Sequence, residues 1–121
     1  MNMKKILIIE DNNDLRENLT EILELANYQV ITASNGTIGA EKIVLEHPDF
    51  IVCDISMPKK NGFEVYTAVQ SVLVNRKIPF IFISANSQEK EIAEGIKLGV
   101  DAYLVKPFPT EELLETITVL M

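Results

Sequence analysis

The 121-residue sequence is poor in cysteine, histidine and positive charge, and it has no long apolar run. Its one cysteine, Cys53, excludes an internal disulfide, and a reducing compartment is the natural setting for such a chain. Cys53 stands inside an apolar stretch, where a thiol is an inert core group; a reactive thiol needs exposure and nearby positive charge. Lys and Arg total 11 against 18 Asp and Glu, a formal net charge of −7. Nucleic-acid binding by this domain is therefore not expected, because phosphate backbones demand a basic surface. No run reaches the length that spans a bilayer, so no membrane association is expected either. The opening MNMKKILIIED sets two lysines before apolar residues, as a signal peptide does. Its apolar run ends at Ile9, before Glu10 and Asp11, which is too short. A cytoplasmic location is expected. Linkers, internal repeats and low-complexity segments are lacking.

Hydrophobic residues make up 47% of the chain and charged residues 24%, enough for one packed core in a domain of ordinary size. Short apolar runs at 6–9, 30–33, 50–53, 80–83 and 102–105 are rich in Val, Ile and Phe. They read as strands buried on both faces of a parallel sheet. Helical periodicity fills the intervals. Leu15, Leu19, Ile22, Leu23 and Ala26 mark a first helix that Asn13 or Asp14 would cap. Ala40, Ile43 and Val44 mark a second, stopped by Pro48, with Asn35-Gly36 as a loop before it. Val65, Val69, Val72 and Leu73 mark a third. The fourth, about 88–98, has a thin stripe of Ile92, Ala93 and Ile96, contains Gly95, and would be capped by Gly99. Leu113, Leu114, Ile117, Leu120 and Met121 mark a fifth. Regular βα alternation implies an α/β domain, a doubly wound five-stranded parallel sheet with five helices. The flavodoxin-like order 2-1-3-4-5 is the commonest answer, with its ligand crevice at the carboxyl ends of strands 1 and 3.

The residues at those ends are informative. Strand 1 runs into Glu10 and Asp11, strand 3 ends in Asp54, strand 4 in Ser84 and strand 5 in Lys106. Three carboxylates thus converge on the switch point, where each raises the pKa of the others. A hard divalent cation relieves that repulsion, and Mg²⁺ suits a site with few protein oxygens. Lys106 offers a point positive charge and Ser84 a hydroxyl donor. Nucleophile, metal, cation and donor are the parts of a phosphoryl-transfer site. Glu10-Asp11 alone could be an acidic helix-capping loop, and Lys106 alone a solvated charge; the signal is their joint placement after four strands.

The stretches ILIIEDN, IVCDISMPKKNGFEV, FISA and DAYLVKPF occur in this order over nearly the whole chain. With them the sequence resembles the receiver domain of bacterial two-component response regulators, of the chemotaxis-regulator type. The resemblance implies that Asp54 is the phosphoacceptor, taking its phosphoryl group from a sensor histidine kinase or a phosphotransfer protein. It implies Asp11 as a direct Mg²⁺ ligand, Glu10 as a ligand through water, and the backbone carbonyl of Ser56 as a further ligand. Two aspartates are frequent in the family at 10 and 11, so Glu10 adds a methylene to the site. Lys106 would bind the phosphoryl group, or Asp54 itself before transfer, and Ser84 would donate its hydroxyl to a phosphoryl oxygen. Ser84 and Tyr103 would form the switch, moving the surface of helix 4, strand 5 and helix 5. For Tyr103 the plain alternative is a half-buried strand residue with its hydroxyl in water. Pro58 would stiffen the loop after the acceptor, and Gly62 would take a backbone conformation that other residues resist. The Lys106–Pro107 bond is cis in the family, whereas an X-Pro bond taken alone favours trans.

On this reading the chain is a signalling domain rather than a turnover enzyme. It would catalyse its own phosphotransfer and a slow autodephosphorylation, with Ser56 and Asn86 at the positions that tune the latter. His47, before Pro48, reads as a surface residue rather than a phosphorelay histidine. The last helix lacks a Gly stop and a basic last turn. Residues 1–121 are therefore expected to be one receiver domain in a natural chain that continues into an output region, the alternative being a stand-alone receiver. The output target, and whether phosphorylation drives homodimerisation, stay open. Competing readings are a Mg²⁺-dependent aspartyl-phosphate phosphatase, a flavin-binding protein and an unphosphorylated interaction module. The first commonly has a second Asp where this chain has Ser56. The second would meet phosphate with Glu10-Asp11. The third would not need the intact Asp54, Asp11, Ser84 and Lys106.

Overall fold

The computed structural model describes residues 3–86 and 88–121. Strands β1 (Lys5–Ile9), β2 (Gln29–Ala33), β3 (Phe50–Asp54), β4 (Phe80–Ser84) and β5 (Ala102–Val105) alternate with helices α1 (Asn13–Leu25), α2 (Gly36–Glu46), α3 (Gly62–Arg76), α4 (Glu89–Leu98) and α5 (Thr110–Leu120). All pairings are parallel, in the order β2-β1-β3-β4-β5. The doubly wound sheet expected from the alternation is therefore the observed one.

The three inner strands are buried nearly throughout, but β2 and β5 are not. Both lie at sheet edges, and most of their side chains are only half-covered. This corrects the expectation of strands buried on both faces throughout. Pleating sends neighbouring side chains to opposite faces and so divides the core in two. Leu7, Ile9, Ile51, Cys53, Phe80 and Phe82 pack with α2 and α3 through Ile43, Val65, Tyr66 and Val69. Ile6, Ile8, Phe50, Val52, Ile81 and Ile83 pack with α1 and α5 through Leu19, Leu23, Leu113 and Ile117. Removing one such Leu or Ile to Ala typically costs about 2–5 kcal/mol, which is why the sheet is a rigid base for the loops above it.

The helix ends follow from short-range chemistry. Asn12, not Asn13 or Asp14, caps α1: its side chain accepts from the Leu15 backbone N–H. Asn13 and Asp14 are already helical, so the cap lies one or two residues before the positions expected from the sequence. Asn35 caps α2 through the Ile38 N–H, and Gly36 is the first helical residue rather than part of a free loop. His47, exposed and left-handed, ends α2 just before Pro48. Asn61 and Glu64 form a reciprocal capping box on α3. By contrast α4 has no side-chain cap; Gly95 is its one buried residue, and Gly99 ends it in the left-handed conformation expected.

Gly62 needs a different explanation from the one the sequence suggests. Its backbone does not have a positive φ; in the loop after Asp54, Lys59 takes the left-handed conformation. What Gly62 needs is space. A Cβ there would lie 2.7 Å from the Asp54 carbonyl oxygen and 2.8 Å from the Ile55 Cα. Gly62→Ala is therefore expected to destabilise the domain by about 1–3 kcal/mol, read as a lower urea midpoint by circular dichroism. An unchanged midpoint would show that the loop yields freely.

Candidate functional site

The site forms where β1 and β3 lie side by side. Ile9 is paired with Cys53, so the chain leaves both strands at the same level. It delivers Glu10 and Asp11 from one strand and Asp54 from the other. Carboxylate oxygens of the three lie within 4.8 Å of one another; Glu10 and Asp54 are buried and Asp11 is exposed. Ser84 ends β4, 3% exposed. Lys106 follows β5 and is half-buried, and its bond to Pro107 is cis. Ser56 is exposed on the loop after Asp54.

The ammonium of Lys106 lies 2.9 Å from Glu10 Oε1 and 3.4 Å from Asp54 Oδ1. Sequence reasoning paired Lys106 with Asp54; the closer partner is Glu10. The other oxygen of Glu10 accepts the Asn12 backbone N–H, and Arg16 donates to the Glu10 carbonyl. Glu10 is thus held on both carboxylate oxygens. Burial pushes its pKa up, but the hydrogen bonds from Lys106 and Asn12 outweigh this and hold it below its usual value. Asp54 has the opposite balance. Burial first, and the Glu10 charge second, raise it to about 7 against the weaker pull of Lys106. Asp11 is also raised, by partial burial and by Glu10. One ammonium faces three carboxylates, so the oxygen-only donor set suits a hard cation. Cys53, wholly buried beside them, has its thiol pKa pushed well up by burial and by Asp54, as befits an inert core group.

Next to this cluster is a second one that sequence reasoning did not assemble. Ser84 donates its hydroxyl to Glu91 Oε1 at 2.8 Å, and the Asn86 amide donates to Glu91 Oε2 at 2.8 Å. The Tyr103 hydroxyl lies 2.7 Å from Glu91 Oε1 and 3.0 Å from the Asn86 carbonyl. The tyrosine is half-buried, as its plain reading held, but its hydroxyl is bonded to protein rather than left to water. Burial and the hydrogen bonding around it put its pKa at about 12. Its ring and that of Phe82 lie against Gly95, where a Cβ would come within 3.2 Å of Phe82 and 3.4 Å of Tyr103. The hint in the sequence was a pair of acids, Glu89 and Glu91, in the first turn of α4, where acids are common for dipole reasons alone.

The charge balance at Asp54 is testable. The folded pKa of about 7 lies above the unfolded carboxyl value, so folding favours the protonated acid. The resulting penalty is absent below about pH 4, grows as pH rises, and is complete above about pH 7. Asp54→Asn is therefore expected to stabilise the metal-free protein by roughly 1–3 kcal/mol at pH 8 and by almost nothing at pH 4. Denaturant titrations at the two pH values check it; an equal effect at both would put the cause outside ionisation.

The response regulator receiver domain family matches residues 6–118. The response regulator ArlR of Staphylococcus saprophyticus is 36% identical over 119 residues, covering 98% of this chain and 53% of that protein. A probable transcriptional regulator, ycf27, of Cyanophora paradoxa is 36% identical over 113 residues, covering 93% and 46%. The solved chemotaxis protein CheY4 of Vibrio cholerae superposes with a TM-score of 0.91 at 30% identity, covering 99% of this chain and all of that one. The chain spans about half the length of the curated relatives it matches.

Proposed function

The chain belongs to the response regulator receiver family, and we propose that Asp54 accepts a phosphoryl group from a histidine on a sensor kinase or phosphotransfer protein. The observation that carries this is the buried Asp54 carboxylate at the end of β3, with Glu10, Asp11 and the Lys106 ammonium converging on it. Receiver domains are signalling domains, and the chemistry proposed is one cycle on the protein's own side chain.

An Asp54 oxygen attacks phosphorus, the P–N bond to the donor imidazole breaks, and its electron pair stays on nitrogen. The product is an acyl phosphate on Asp54. Water attack at phosphorus later returns the carboxylate, with release of phosphate. Attack needs the ionised carboxylate, so a raised pKa holds the nucleophile back until positive charge arrives. Bound Mg²⁺ would supply that charge at Asp11, Asp54 and the Ser56 carbonyl. Glu10, with both oxygens already engaged by Lys106 and Asn12, suits a role through water. Lys106 bridges Glu10 and Asp54 and stands ready to neutralise the incoming phosphoryl oxygens. Ser84 is the hydroxyl donor to the same group, and Ser84 with Tyr103 carries the change to α4, β5 and α5. Relatives named as transcriptional regulators extend beyond the matched part, which supports an output region following this domain in the natural chain. A cytoplasmic setting is part of this reading.

Acetyl phosphate with Mg²⁺ is expected to add one phosphoryl group to the intact mass, and both Asp54→Asn and a chelator should abolish it. Persistence of the adduct in Asp54→Asn would move the acceptor elsewhere. Mg²⁺ affinity is expected to fall as pH drops below about 7, approaching tenfold per unit for each proton displaced. Calorimetry in buffers of different ionisation enthalpy reads the protons released; a pH-independent affinity would remove Asp54 from the ligand set.

A further inference from the structure

We propose that Glu91 is the positioning residue that withholds the Ser84 hydroxyl from Asp54 until a phosphoryl group competes for it, which ties the first turn of α4 to the chemistry. The inference rests on Asp54 being the acceptor and concerns a residue outside the acceptor site.

A serine hydroxyl donates only one hydrogen. In this structure the Ser84 hydrogen goes to Glu91 Oε1 at 2.8 Å, while Ser84 Oγ itself accepts the Asn86 backbone N–H at 3.0 Å. A hydroxyl bonded to a carboxylate is charge-assisted, roughly twice as strong as a neutral pair. Ser84 is 3% exposed, so water does not readily take the place of Glu91. A phosphoryl group on Asp54 must therefore win this hydrogen from Glu91 before Ser84 can serve it. It has the means, since it carries about −1.5 to −2 charges on three strong acceptor oxygens.

The consequence for Glu91 is the loss of one of three donors. Tyr103 and Asn86 hold its two oxygens after Ser84 has gone. Its carboxylate stands on a helix with little else to fix it at that end. The N-cap Gln88 makes no side-chain cap bond, and Gly95 is the one buried residue of α4. Glu91 joins β4 through Ser84, the β4–α4 loop through Asn86 and β5 through Tyr103. Loss of the Ser84 bond therefore releases the first turn of α4 from β4 and leaves Glu91 tied to β5 and the β4–α4 loop. The strength of that bond sets how much of the phosphoryl group's binding is spent on release.

The test uses beryllium fluoride with Mg²⁺ as the phosphoryl mimic, with affinity read by amide and ¹⁹F NMR. Glu91→Gln keeps the size and one acceptor oxygen but removes the charge and turns the other oxygen into an N–H donor, so Ser84 is held less tightly. Its affinity for the mimic is expected to rise about tenfold, the size of one charge-assisted bond reduced to a neutral one. In a Ser84→Ala background the same change should have no effect, because no hydroxyl remains to compete for. A purely structural Glu91 would instead alter thermal stability and leave the affinity alone. Equal affinity in the wild type and Glu91→Gln, or a gain that survives in Ser84→Ala, overturns the proposal while the acceptor reading stands. Failure of the wild type to bind the mimic in an Asp54-dependent way overturns the acceptor reading, and the proposal with it.

Discussion

Everything at the carboxyl edge of this sheet depends on the repulsion among three carboxylates that two neighbouring parallel strands bring together. Ile9 opposite Cys53 fixes the level at which both strands release the chain. The backbone thereby forces Glu10 and Asp54 into proximity before any side chain has adjusted. The single ammonium of Lys106 cannot satisfy both. It sits nearer Glu10, which stays ionised with the help of the Asn12 N–H. The unmet share of the repulsion falls on Asp54. This asymmetry separates a support that ionises readily from an acid whose ionisation depends on what else is bound. The Glu10 carboxylate reaches Lys106 with one oxygen and the Asn12 N–H with the other.

The division of the core into two halves explains why such a crowded edge is tolerated. β1, β3 and β4 are covered on both faces, by α2 and α3 on one side and α1 and α5 on the other. A rigid base can hold charges that a softer one would let drift apart. The electrostatic cost at the mouth is small against the apolar area buried beneath it, where each fully covered Leu, Ile or Phe contributes about 1.5–3 kcal/mol.

Most of the fold and of the candidate site could be read from the sequence, because both depend on features that are local in the chain. Apolar runs of four residues, helical spacing between them and polar residues just beyond each run are enough to place Asp11, Asp54, Ser84 and Lys106 at one edge. What could not be read has a common character. The cap at Asn12 instead of Asn13 or Asp14 turned on a one-residue difference among three capping-competent side chains. The need for glycine at 62 came from the approach of the Asp54 carbonyl, a contact that backbone propensity does not report. The half-exposure of β2 and β5 follows from their edge positions, which composition does not mark. Glu91 lies seven residues from Ser84 and twelve from Tyr103, and its role appears only when three elements fold onto one carboxylate.

Gly95 bears on how α4 is seated. Packed helices are usually fixed in roll and slide because side-chain ridges drop into facing grooves. At Gly95 the helix presents no side chain to the rings of Phe82 and Tyr103, and its backbone rests almost directly on their edges. Such a contact sets the distance between helix and sheet but has no teeth. It works as a smooth bearing rather than a gear: at this one point no side-chain ridge has to climb out of a groove for the helix to turn.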